Sequence, residues 1–320
     1  MASHSTYDSN TAWRLIQDFL PRRLHFTKEH SPTEETWETR GHKLHIDRWV
    51  NPAAKAIIIL HHGIGTNGRE MSMILGVPLH MAGFEVVAVD MPGYGMTKCA
   101  PGTHSYSDWV DIGCDFLERE QMPRGLPVFL YGLSAGGFLS MQIAGKMKVG
   151  GRKPPSGMIA MCFIDIRDQA VSDMSARNLL CSRVGFPAAH LMNWIGMGWF
   201  RMPFSWVAKM TTLANDPKCL KICLQDDTSA AASVSMKFLS SLASYTPAQD
   251  WEEFNACPIL LTFPMKDRWV TLDQSKGFLG RAAKAEWEVV ELENAGHYPL
   301  EDPGLQQMAD GIIRFVNAKM

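Results

Sequence analysis

Three residues have the types and the chain order that suit nucleophilic catalysis: Ser134 in GLSAG, Asp267 in PMKDRWV and His297 in AGHYPLED. A serine hydroxyl is a weak nucleophile until a base takes its proton. Histidine is the usual base, because its pKa lies near neutrality. A carboxylate then fixes the histidine tautomer and stabilises the imidazolium that forms. The surroundings of the serine matter as much as its type. Residues Gly132 to Gly136 fit G-x-S-x-G, which presents a serine on a strained turn when a strand precedes it and a helix follows. LPVFLYG reads as that strand, and Ala135 to Met147 as that helix. The flanking glycines permit the strained backbone and the close approach of strand and helix.

Some roles have rivals. Asp165, at the end of MIAMCFID, also follows an apolar run and is the second candidate for the acid. Of the eleven histidines, His297 stands out, between the last expected strand and the last expected helix. A tetrahedral oxyanion needs N–H donors aimed at it. Ala135, opening the helix, offers one; Ile64 in HHGIGTNG, after the first long apolar run, offers a second. His61 and His62 are adjacent imidazoles, as at some metal sites, but no carboxylate cluster stands beside them. A His62 that orders the loop by hydrogen bonding is the preferred reading. Cys219 and Cys223, four apart, can share a helix face but are too few ligands for a metal. The chemistry expected here needs neither metal nor cofactor.

These residues require a frame to position them. TWETR and KLHIDRWV, separated near Gly41, predict a β-hairpin. AKAIIILHHG, FEVVAVD, LPVFLYG, SGMIAMCFID and CPILLTFP are short apolar runs of the kind buried on both faces of a parallel sheet, and AEWEVVELE adds a last strand. Helices are expected over Arg69–Gly83, Tyr106–Glu120 and Ala135–Met147, then in LDQSKGFLGRAA and PGLQQMADGIIRFVNA. This alternation predicts an α/β fold: a mostly parallel eight-stranded sheet with helices on both faces. The regularity fails between about Arg167 and Asp250, a stretch rich in Met, Trp, Ser and Ala. It is read as an inserted helical cap, which divides the chain into core residues 1–166, cap residues 167–250 and core residues 251–320. Met192, Trp194, Met197, Trp199, Phe200, Met202, Phe204 and Trp206 would line a substrate pocket or fill the core of the cap.

Composition narrows the classes further. The chain has 320 residues, 46% hydrophobic and 20% charged, with a net charge of -2. That charge gives no attraction to nucleic acid or to an anionic membrane. No uncharged apolar run reaches the roughly 20 residues of a spanning helix, so no stable membrane insertion is expected. The most apolar candidate, Leu191 to Val207, is broken by Arg201 and Pro203. The stretch up to Arg23 lacks a basic segment ahead of a continuous apolar run, so no signal peptide is expected. Seven scattered cysteines without a C-x-x-C pair argue for a reducing compartment, the cytoplasm.

Together HHGIG, VDMPGYG, GLSAGG, PMKDRWV and AGHYPLED resemble the α/β-hydrolase superfamily, in that family's order, from about residue 35 to the end outside the inserted stretch. The layout is similar to the monoacylglycerol lipase and lysophospholipase-like esterases. The resemblance implies Ser134 as nucleophile, His297 as base and Asp267 as acid, with Ile64 and Ala135 supplying the oxyanion N–H groups. The serine separates the chain from the haloalkane dehalogenase and epoxide hydrolase branches, which carry an aspartate there. Ile64 is bulkier than the small residue common at that place in lipase-like members, and is expected to narrow the acyl side. The expected activity is hydrolysis of a carboxylic ester, lactone or thioester of a hydrophobic small molecule through an acyl-enzyme. A carbon–carbon bond hydrolase or lyase on the same triad, and a non-catalytic small-molecule receptor, are the alternatives.

Overall fold

The computed structural model describes residues 6–320; residues 1–5 of the stretch read for a signal peptide lie outside the described residues. Helix α1 (Ala12–Gln17) comes first, followed by β1 (Thr33–Thr39) and β2 (His42–Trp49) as the expected hairpin. The turn between them places Arg40 and Gly41 at φ 48° and 77°. Then come β3 (Ile57–His61), α2 (Gly68–Met81), β4 (Glu85–Val89), α3 (Tyr106–Gln121), β5 (Val128–Leu133), α4 (Ala135–Val149) and β6 (Gly157–Met161).

The stretch that breaks the alternation follows. It holds α5 (Gln169–Ser175), α6 (Phe186–Met192), β7 (Arg201–Pro203), α7 (Pro217–Cys223), β8 (Ser233–Ser235) and α8 (Met236–Ala243). Strands β7 and β8 pair antiparallel as a small separate sheet, which the sequence pattern had not suggested. Two π-helical turns, Cys181–Gly185 and Asn193–Met197, flank α6, and Gly196 sits at φ 85°. The chain closes with β9 (Ile259–Pro264), α9 (Leu272–Arg281), β10 (Trp287–Leu292) and α10 (Gly304–Lys319). Among the described residues, no helix is long and apolar enough to cross a membrane.

The eight-stranded sheet has the order β1-β2-β4-β3-β5-β6-β9-β10. Strand β2 runs antiparallel to both neighbours, and every pair from β4 to β10 is parallel. Every residue of β3, β4, β5, β6 and β9 is buried, which accounts for their mostly apolar sequences. Strand order reverses around β3: β4 lies on one side and β5 on the other. Loops leaving neighbouring strands diverge at such a reversal and open a crevice at the carboxyl ends. The register places His61 beside Gly132 and Leu133 beside Met161, so β3, β5 and β6 end side by side.

A buried charge network braces the other flank of this crevice. Asp90, at the end of β4, accepts from the backbone N–H of Gly68 (2.7 Å) and of Met96 (2.8 Å) and from the Tyr7 hydroxyl (2.9 and 3.0 Å). His45 donates from Nδ1 to Asp90 (3.0 Å) and from Nε2 to Glu34 (2.7 Å). Burial alone would lower the His45 pKa, but the hydrogen bonds to Asp90 and Glu34 raise it to about 10. The Arg69 guanidinium pairs with Asp47 at 2.7 Å and lies over the rings of Tyr7 (4.5 Å) and Trp13 (4.8 Å).

Candidate active site

Ser134 joins β5 to α4 with φ 57° and ψ -118°, a conformation that side chains rarely adopt. The strain is held by neighbours on both sides. Its N–H donates to the Met161 carbonyl of β6 (2.9 Å), and its carbonyl accepts from the Gly137 N–H (2.9 Å). Two glycines make the turn possible. A Cβ at Gly132 would overlap the Gly136 carbonyl, and one at Gly136 would come within 2.6 and 2.7 Å of the His61 and His62 carbonyl oxygens. Ser134 is thereby pressed up at the strand ends, buried but bordering a cavity.

His297 lies in the loop after β10, and Asp267 in the loop after β9. They are joined: His297 Nδ1 donates to Asp267 Oδ2 at 2.8 Å, with both side chains shielded from solvent. The other carboxylate oxygen accepts from the N–H groups of Trp269 (2.6 Å) and Val270 (3.2 Å), which fixes its direction. An ionised carboxylate only accepts, so the proton of a neutral His297 belongs on Nδ1 and Nε2 keeps its free lone pair. The Trp269 ring lies tilted against His297, 4.7 Å between ring centres, and also lines the cavity beside Ser134. Asp165, the rival acid, is engaged elsewhere: Arg167 binds both its oxygens, and Trp251 Nε1 donates to it at 3.1 Å.

The loop after β3 is ordered by His62, as the sequence suggested. Its Nδ1 donates to the Gly63 carbonyl (2.8 Å), and its Nε2 accepts from the Met91 N–H (3.0 Å). Burial lowers the His62 pKa and keeps the ring neutral, as this donor–acceptor pairing requires. His61 is also buried, facing Ser140 Oγ at 3.0 Å, and burial with the neighbouring His62 pushes its pKa down to about 3. Thr66 Oγ1 takes the Gly63 N–H (3.0 Å). The N–H groups of Ile64 and Ala135 have no acceptor among the described residues, and both residues line the cavity with Ser134.

The cavity has a volume of about 50 Å³ and is mostly apolar. Ile64, Ile164 and Trp269 form part of its wall, and Phe186, Phe204, Val207, Leu239 and Leu242 reach it from the stretch between β6 and β9. Beneath the serine lies Cys162, the first residue after β6, buried and at φ 58°. Its sulfur, one Asp267 oxygen and one His297 ring nitrogen lie within 4.8 Å of one another. Burial, then the Asp267 charge, hold this thiol well above its ordinary pKa, and the adjacent Ser134 offsets only part of that. Cys162, which meets Ser134 on one side and the Asp267–His297 pair on the other, and Trp269, which borders both, link the serine to that pair.

The sequence profile of the alpha/beta hydrolase family matches residues 58–309. The chain belongs to the alpha/beta hydrolase family. Within that fold it is similar to a soluble variant of the Saccharomyces cerevisiae monoglyceride lipase solved with a substrate analogue: TM-score 0.73, 17% identity, 94% of this chain and 99% of that one. The monoacylglycerol lipase of Paleococcus ferrophilus gives a TM-score of 0.67 at 19% identity, over 87% of this chain and 99% of that one. Est1E from Butyrivibrio proteoclasticus gives 0.59 at 14% identity, over 89% and 98%. No curated protein matched the sequence.

For this alpha/beta hydrolase, the residues picked out from sequence gather at the ends of β3, β5, β9 and β10. The aromatic and methionine stretch behaves differently from expectation. Only Phe204 of the eight lines the cavity, and Met192 and Met202 pack partly buried against the core. Met197, Phe200, Trp199, Trp206 and Trp194, the last 81% exposed, face outward. Three residues near the site went unnoticed in the sequence: Cys162, Trp269 and Ser175. The position of Cys162 directly after β6 was the one available signal.

Proposed function

We propose that the protein is a serine hydrolase that cleaves a carboxylic ester, lactone or thioester of a hydrophobic small molecule through an acyl-enzyme on Ser134. One observation carries this reading: the shielded 2.8 Å bond from His297 to Asp267, set beside a serine held at a strained turn. In this reaction His297 Nε2 takes the Ser134 proton as Oγ attacks the carbonyl carbon. The oxyanion accepts from the N–H groups of Ile64 and Ala135, each worth roughly 2.7–4 kcal/mol in the transition state. The imidazolium then protonates the leaving group as its bond to the acyl carbon breaks. Water, giving its proton to His297, attacks the acyl-enzyme and releases the acid and the free serine. Residues 167–250 act as a cap that brings apolar side chains over the serine. The small cavity and the bulk of Ile64 favour a short or compact acyl group. The likeness in fold to monoglyceride lipases supports an ester substrate. The scattered cysteines favour a reducing setting, the cytoplasm.

A fluorophosphonate probe and a p-nitrophenyl ester series test the reading together. Wild-type protein is expected to be labelled at Ser134 and to turn over the shorter esters. Absence of labelling, or labelling and turnover that persist in Ser134→Ala, overturns it.

A further inference from the structure

One part of the cavity wall departs from its apolar lining. Helix α5 contributes Ser172 and Ser175, three apart on one face, and both line the cavity that Ser134 borders. Ser175 is only 6% exposed, and its hydroxyl has no hydrogen-bond partner among the described residues. A serine within a helix commonly turns its hydroxyl back to the carbonyl one turn earlier; Ser175 does not. Its own carbonyl accepts from the Lys209 N–H (3.1 Å), which pins this end of α5 against the chain around Ala208. The neighbouring wall is Ile166, Ala176, Val207 and Ala208, which bring no polar side-chain atom. Buried hydroxyls are nearly always paired, and an unpaired one beside a cavity is a site that a ligand atom can satisfy.

We propose that Ser175, with Ser172 beside it, binds a hydroxyl or carbonyl oxygen that the substrate carries away from its scissile bond. The inference rests on the hydrolase reading and narrows it: the substrate is an oxygenated ester with a largely apolar body rather than a plain alkyl ester. The oxygen belongs to the acyl chain or to the alcohol, and the chemistry at Ser175 is the same for both.

The test compares p-nitrophenyl hexanoate with its monohydroxylated counterparts, and the hexanoate of a simple alcohol with hexanoates of the corresponding diols. In one of these arms, at least one oxygenated ester is expected to exceed its plain partner in kcat/KM by about tenfold or more. That ratio should fall to near one in Ser175→Ala and fall less in Ser172→Ala. Calorimetric binding of the same pairs to Ser134→Ala protein, with and without Ser175→Ala, reads the discrimination without turnover. It also serves if the serine variants alter folding rates. Turnover that survives Ser134→Ala would remove the hydrolase reading alone. Ratios unchanged by Ser175→Ala in both kinetics and calorimetry overturn the assignment of Ser175.

Discussion

The carboxyl ends of the parallel strands and the stretch between β6 and β9 are built on opposite terms. At the strand ends, close backbone approaches and paired polar groups leave little freedom: Gly132 against Gly136, Asp267 against His297, His62 between Gly63 and Met91. Between β6 and β9 the elements are short, two turns are π-helical, and large apolar side chains such as Leu180, Trp194 and Trp199 face outward. One region holds its polar groups in paired, closely packed positions. The other supplies apolar surface whose detailed arrangement is less constrained. Tolerance to change should therefore differ sharply between them.

The strongest way to break this contrast is at the serine. Ser134→Ala is expected to lower kcat by about a millionfold with the melting temperature nearly unchanged. Asp267→Asn should follow, with a loss of about ten-thousandfold in kcat, slowed fluorophosphonate labelling and a nearly unchanged melting temperature; full activity would mean that another carboxylate orients His297. Gly132→Ala should destabilise by more than about 4 kcal/mol, because the new methyl overlaps backbone rather than a movable side chain, and denaturant midpoints would report it.

The His45 network gives a smaller effect with a definite sign. The native imidazole holds its proton up to about pH 10, while the unfolded chain releases it above about 6.5. The contribution is therefore full below 6.5 and is lost as pH rises through about 10, at roughly 1 kcal/mol per pH unit. His45→Gln should flatten this alkaline slope in thermal melts; an unchanged slope would assign it to other groups. The smallest effect belongs to the other region. Trp194→Ser, at a side chain 81% exposed, should shift stability by less than about 0.5 kcal/mol.

The same contrast governs what the sequence disclosed. Strands buried on both faces must be continuously apolar, and a serine elbow must be flanked by small residues, so both are written locally. Ser134, Asp267 and His297 each sit in the turn or loop that follows a strand, and that is why they could be named. Other features depend on distant packing. The hydroxyl of Ser175 is unpaired beside Val207 and Ala208, apolar residues some thirty positions along the chain. The outward aromatic residues were placed in a pocket or a core from residue type alone, which does not say which side of the stretch faces the core. Tyr7 and Trp13 gave no local hint that both bed Arg69 and that Tyr7 tethers Asp90.

That tether has a practical side. Tyr7 holds the carboxylate that in turn holds the Gly68 N–H, at the start of the helix following the Ile64 loop. A proteolytic nick or trimming upstream of Thr11 would strip Asp90 of a donor and Arg69 of part of its aromatic bed. Loss of Tyr7 would thus be felt at the loop that carries Ile64, far away along the chain.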